Sequence, residues 1–174
     1  VCAAVILDPR RPIAGLQDSK VLSERSRELL FPIIQRTCLA WHVEFVEREE
    51  IDALNILRAT MAGMRRAICA ITPSATSALI DGDRVPEGLP CPAEALVGGD
   101  RLEPSIMAAS ILAKVSRDRH MMTLHGRYPG YGFERNKGYP TAEHLASLTR
   151  LGPCAEHRRS FAPVRNSLIE SNCG

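Results

Sequence analysis

The 174-residue chain predicts one α/β domain, a central sheet flanked by helices. Three observations point there. The apolar run at 1–7 continues without alternation, as a strand covered on both faces requires, and Ala78-Leu79-Ile80 reads as a second buried strand. Apolar positions recur at three- and four-residue spacing between Ile51 and Ile71, the mark of an amphipathic helix. Two short apolar runs end on a carboxylate, at Asp81 and at Asp100, and α/β sheets place their ligand sites at strand ends. Neither acid is specific alone, because an Asp before Gly is also a plain turn residue.

Length and composition narrow the class further. The chain is long enough for one sizeable core and short for two. At 45% apolar and 24% charged it is neither a disordered nor a membrane-type sequence. No apolar run approaches the roughly 20 residues of a membrane helix, and the first residues lack the basic region of a signal peptide, so a cytoplasmic protein is expected. Six cysteines (2, 38, 69, 91, 154 and 173) form no C-x-x-C pair and no zinc-type spacing, and they read as reduced apolar fillers. Residues 1–100 hold 11 Lys and Arg against 14 Asp and Glu, whereas residues 101–174 hold 11 against 6. The basic second part is where a polyanion would bind, although a solvated face carries charge of this size too.

The elements follow in order. Val1–Leu7 is the first strand, closed by Asp8-Pro9. Leu16-Gln17-Asp18-Ser19-Lys20 forms a loop, and Ser23 caps a helix from Glu24 to Thr37 with Leu29, Leu30, Ile33 and Ile34 as its apolar face. Trp41–Val46 reads as a strand near an edge. The helix through Ile51, Leu54, Leu57, Met61, Met64, Ile68 and Ile71 has acids at its start and arginines near its end, which suits its dipole. Pro73 and Ser74 lead into Ser77–Asp83, Ser-Ala-Leu-Ile-Asp-Gly-Asp, which delivers Asp81. Ala95-Leu96-Val97 passes through Gly98-Gly99 to Asp100. From Ser105 a helix carries small residues at 105, 109 and 113 and becomes basic at Lys114, Arg117 and Arg119, with Asp118 read as a surface ion-pair partner. Residues 126–141 combine Gly, Tyr and cations, a surface able to stack on a sugar or base and hold phosphates, or a loop packed by its own tyrosines. Two short helices are expected near 141–150 and 162–170.

The ordered pieces closely resemble bacterial ribonuclease HII over essentially the whole chain. The resemblance is carried by Ala3–Asp8, Ala14–Lys20 with Leu22-Ser23-Glu24, Ile51–Leu57, Leu79–Gly82, Gly99-Asp100, Ser105–Val115 with Arg117-Asp118, Lys137–Thr141 with His144, and His157–Phe161. It implies an RNase H-like fold with a central mixed β-sheet of five strands, helices on both faces and a C-terminal helical extension. The expected organisation is a single domain over 1–174, in which 126–174 forms the substrate-binding loop and C-terminal helices.

The resemblance also implies a metal-dependent endoribonuclease that hydrolyses the RNA strand of RNA–DNA hybrids. Such an enzyme incises 5′ to a ribonucleotide embedded in duplex DNA, leaving 5′-phosphate and 3′-hydroxyl ends. Asp81 and Asp100 match two of the family's four metal-binding carboxylates, and hard oxygen ligands suit two Mn²⁺ or Mg²⁺ ions. Tyr139 matches the tyrosine that stacks beneath the ribose. Lys20, Ser105, Ser110 and Lys114 are expected backbone-phosphate contacts. A monomer without a membrane partner is expected. The family's Asp-Glu segment, on the strand that would precede Val1, has no counterpart here, and the chain is therefore expected to be a fragment. The alternatives are a catalytically incomplete nucleic-acid-binding fragment and a nuclease of the ribonuclease HIII type.

Overall fold

A computed structural model describes residues 1–171. They divide into two compact units. One comprises Val1–Val46 with Ala59–Ser116; the other comprises Glu47–Arg58 with the described residues from Arg117 onward.

In the first unit, strand β1 (Cys2–Ile6) pairs antiparallel with β2 (Ala40–Glu44), Ala4 lying opposite His42. Strand β3 (Ala78–Asp81) pairs parallel with β4 (Ala93–Leu96), and Asp81 lies opposite Leu96. Both kinds of pairing expected of a mixed sheet are present. They occur in two separate two-stranded ladders among the described residues, not in one continuous five-stranded ladder. What unites the pairs is side-chain packing: Ala4 of β1 and Ile80 of β3 belong to one buried cluster with Ala40, Ala67, Ile68 and Ile71.

Helix α1 (Glu24–Thr37) begins as expected, with Ser23 Oγ accepting from the Ser26 amide at 3.0 Å. Its buried residues are Leu30, Phe31 and Ile34, whereas Leu29 and Ile33 are exposed. The inward stripe is therefore rotated toward Phe31, which is buried in one cluster with Leu30 and Ile34. Opposite it, α4 (Pro104–Arg127) buries Ala108, Ile111, Leu112 and Val115 in the same core. The small residues at 105, 109 and 113 are only half-buried, so branched side chains, not a flat small face, make this contact.

The long helix expected around Ile51–Ile71 is broken. It forms α2 (Arg48–Leu54) and α3 (Ile56–Cys69), with Asn55 between them at φ 69°. The Asn55 carboxamide oxygen accepts from the amides of Leu57 and Arg58, at 3.0 and 3.1 Å, and so caps α3. With ψ at 163° the Asn55 backbone lies outside the left-handed helical well, and the two hydrogen bonds that its carboxamide oxygen accepts help to hold it there.

In the second unit, Met121, Leu124, Tyr131 and Phe133 form a core. Around it lie α5 (Phe133–Asn136), α6 (Ala142–Leu151) and α7 (Ala162–Ser171). The Asp52 carboxylate accepts from the amides of Arg159 and Ser160, at 2.8 and 3.0 Å, and from the Ser160 hydroxyl at 2.5 Å. Asp118 is 6% exposed, so it is a buried acid and not the surface partner expected from its flanking arginines. Five cysteines are free thiols, and Cys173 lies outside the described residues. No helix among the described residues is long and apolar enough to cross a membrane.

Candidate active site

Four strand-end and loop residues of the first unit build a polar centre. Asp81 is the last residue of β3 and is solvent-exposed. The ladder ends just beyond it, where the Gly82 amide donates to Leu96 O at 3.1 Å. Gly98, in the left-handed region at φ 70°, turns the chain after β4 into a single 3₁₀ turn, Gly99–Arg101. That turn carries Asp100, which is 3% exposed. Gly99 packs closely here: a Cβ would sit 2.5 Å from Ile106 Cδ1 and would make that side chain shift.

The loop before α1 brings in the third and fourth groups. Asp18 Oδ1 accepts from the Lys20 amide at 2.8 Å, and Asp18 O accepts from the amides of Val21 and Leu22, at 3.0 and 3.3 Å. An Asx-type turn thus fixes the backbone at Lys20. Lys20 Nζ then donates to Asp100 Oδ2 at 2.7 Å. That hydrogen bond, together with the charges of Asp100, Asp18 and Asp81, holds the ammonium above its ordinary pKa against a smaller opposing effect of desolvation. One cation therefore feels three carboxylates. Arg101 Nε lies 3.7 Å from Asp18 Oδ2 at the margin.

The donor set has the chemistry of a hard divalent cation site. Mg²⁺ is commonly held by one or two carboxylates, with water and substrate phosphate completing the shell. Asp81 and Asp100 supply carboxylates of that kind, one buried and one open to solvent. Among the described residues, no group of three His, Cys, Asp or Glu side chains is drawn together as a ready metal cluster.

The remaining sequence-predicted residues are distributed as follows. Ser110 lies on α4 with its hydroxyl 2.7 Å from that of Ser19, tying the Lys20 loop to the helix. Ser105 is half-buried in the first turn of α4, and Lys114 is half-buried further along it. Tyr139 belongs to the second unit. Its amide donates to Asn136 O and its carbonyl accepts from Thr141, both at 2.8 Å, while the residue is 63% exposed. In the same loop Tyr131 and Phe133 are buried and stacked, with centroids 5.5 Å apart. The loop is packed by its own rings, and Tyr139 is left on the surface.

Sequence reasoning passed over two features. Asp18 was read only as part of a loop, although Asp-Ser-Lys is a sequence able to form the Asx turn that aims Lys20. A buried cluster of His144, His157 and Cys154 in the second unit has no local sequence signal, because its histidines are 13 residues apart.

The sequence and the fold are similar to those of known proteins. The family model for ribonuclease HII matches residues 1–164. The chain is 58% identical over 169 residues to a ribonuclease HII of Xylella fastidiosa (strain M12), covering 97% of this chain and 72% of the relative. Among solved structures it is similar to the ribonuclease H2 of Pyrococcus horikoshii, with a TM-score of 0.78 at 23% identity, covering 92% of this chain and 83% of that one. It is also similar to a Bst ribonuclease HIII solved with Mn²⁺, with a TM-score of 0.65 at 17% identity, covering 92% and 59%. At these identities the structures show the RNase H-like fold alone, whereas the family model and the sequence relative show membership. The chain belongs to the ribonuclease HII family, whose members are endonucleases of the ribonuclease H class.

Proposed function

We propose that this chain incises 5′ to a ribonucleotide embedded in duplex DNA and cuts the RNA strand of RNA–DNA hybrids, with Asp81 and Asp100 as its metal-binding carboxylates. The observation that carries the assignment of these residues is the Lys20 ammonium, 2.7 Å from Asp100 and held in the combined field of Asp18, Asp81 and Asp100. A strong local demand for a cation exists at the ends of β3 and β4. Mn²⁺ or Mg²⁺ bound there would supply charge neutralisation at the scissile phosphate and an activated water.

The chain's own groups divide the remaining work. Asp100, buried, gives a carboxylate of fixed orientation; Asp81, exposed, gives one open to water and substrate. Lys20, Ser105, Ser110 and Lys114 are proposed contacts to backbone phosphates, which set register without reading sequence. Tyr139 is a proposed ribose contact, because an exposed ring on a hydrogen-bonded backbone can stack on a sugar face and offer its hydroxyl to a 2′-OH. A monomer acting in the cytoplasm is part of the same proposal.

The test is end-group analysis of the products. A duplex carrying one ribonucleotide, incubated with the full chain and Mg²⁺ or Mn²⁺, should be nicked 5′ to that residue, giving a 3′-hydroxyl and a 5′-phosphate. Chelation by EDTA should abolish the nick. Cutting 3′ to the ribonucleotide, or a 2′,3′-cyclic phosphate product, would contradict the proposal.

A further inference from the structure

We infer that Lys20 is the resident counter-ion of Asp100: its ammonium holds the place of a cation and is displaced when a divalent metal binds that carboxylate. The inference rests on the reading of Asp100 as a metal ligand. It adds a role for Lys20 that precedes any contact with phosphate.

The geometry separates a fixed backbone from a movable end. At its base, Lys20 is held by the Asp18 turn, and the loop is fastened on both sides. Ser19 Oγ meets Ser110 Oγ at 2.7 Å, and Arg27 Nη1 donates to Ser19 O and Leu22 O at 2.7 and 2.5 Å. At its tip, the side chain is 74% exposed and reaches from solvent onto a carboxylate that is 5% exposed. A carboxylate this buried is costly to leave without a positive partner. The lysine satisfies it from outside, on a flexible four-carbon stem that can return to water without any backbone change.

A carboxylate has a second oxygen, but a dication bound at either Asp100 oxygen would lie close to the ammonium on Oδ2, and two cations brought to one carboxylate repel each other. The dication has the stronger claim, because it carries twice the charge and Asp81 adds to the field that attracts it. Displacement then costs only the Lys20–Asp100 pair, and it leaves the ammonium beside the site, free to meet an incoming phosphate. Metal loading is thereby coupled to readiness for the polyanion, and a metal-free centre does not hold an uncompensated buried charge.

Mn²⁺ titration of the full chain by isothermal calorimetry, without nucleic acid, tests this directly. Lys20→Met should tighten Mn²⁺ binding about tenfold by removing the competitor. Arg101→Gln removes the same unit of charge beside Asp18 but not the contact to Asp100, and it should change affinity less than about twofold. Asp100→Asn should abolish the binding heat in either background. Should Lys20→Met fail to fold, Lys20→Gln keeps a neutral donor to Asp100 and should still tighten binding. Unchanged or weaker Mn²⁺ affinity in the folded Lys20 variant, or an equal gain in Arg101→Gln, overturns the inference while leaving Asp100 as a ligand. Mn²⁺ heat that persists undiminished in Asp100→Asn overturns the metal reading itself.

Discussion

His144 and His157 present their Nε2 atoms to each other at 3.4 Å, with rings stacked 12° from parallel and centroids 5.3 Å apart. The surrounding groups settle the tautomers. The Cys154 amide donates to His157 Nδ1 at 3.0 Å, so His157 carries its proton on Nε2 and donates it to His144. His144 Nδ1 lies 3.1 Å from Tyr131 O, which can only accept, so His144 carries its proton on Nδ1. A single chain of donors runs from Cys154 to Tyr131, and an extra proton on either ring would break a link in it.

Acid should therefore unfasten this unit. Burial, with the nearby His144 as the lesser cause, pushes the His157 imidazole down to about 4. A histidine whose folded pKa lies below its unfolded value contributes stability that is complete above about pH 6.5 and lost as the pH falls toward 4. The loss attributable to this ring is on the order of 3 kcal/mol at the acid end. Urea unfolding at a series of pH values should show it, and His157→Gln should flatten that part of the profile. Parallel profiles for the two proteins would contradict the assignment.

Asp52 is expected to be a fastening of comparable weight. Burial raises its pKa, but the Ser160 hydroxyl and the amides of Ser160 and Arg159 outweigh it and hold the carboxyl below the usual range. Asp52→Ala leaves two amides without their acceptor and should destabilise the chain by about 2 kcal/mol. Ser160→Ala, which removes one hydroxyl donor, should cost about half as much or less. Denaturant midpoints of the two variants would show the order, and the reverse order would contradict it.

How much of this was visible in the sequence depends on how local each interaction is. Ser23 and the helix it caps were legible because the cap, the acid after it and the apolar spacing lie within one stretch. Asp81 was legible for a similar reason, as an apolar run that stops on a carboxylate. The break at Asn55 was not, since the apolar spacing runs through it unchanged and the positive φ leaves no mark on the pattern. The partnership of Lys20 with Asp100 spans 80 residues, and that of Asp52 with Ser160 spans 108. Pairings of that range are set by the packing of whole elements, and no spacing rule reaches them. Asp118 misled because two flanking arginines look like a surface in sequence, while a helix places alternate neighbours on different faces.

Gly138 offers a test of the loop that presents Tyr139. It sits at φ 81°, and a Cβ there would lie 2.6 Å from Arg117 Nη2. Gly138→Ala combines left-handed backbone strain with displacement of that guanidinium. We expect it to cost about 1–2 kcal/mol in thermal stability. Gly15→Ala meets the same strain at φ 81° with nothing within 4 Å, so it should cost less. Melting temperatures of the pair measure the part due to Arg117.

Tyr139 itself should separate ring from hydroxyl. Tyr139→Phe keeps the stacking surface and should lower incision at a single embedded ribonucleotide by about tenfold or less. Tyr139→Ala removes the surface and should cost about a hundredfold or more, in line with a base- or sugar-stacking contact of about 1–3 kcal/mol plus the lost hydroxyl. Single-turnover rates on the same duplex compare the two. Similar rates in both variants would count against a ribose contact.

Asp81 and Asp100 carry the central claim, and single-turnover cleavage of a duplex with one embedded ribonucleotide tests it most directly. Asp81→Asn and Asp100→Asn should each reduce the rate about a thousandfold, the loss expected when a metal's contribution of several kcal/mol is removed. Binding of the duplex should persist in both variants. Cleavage at the unaltered rate in either one would contradict the account.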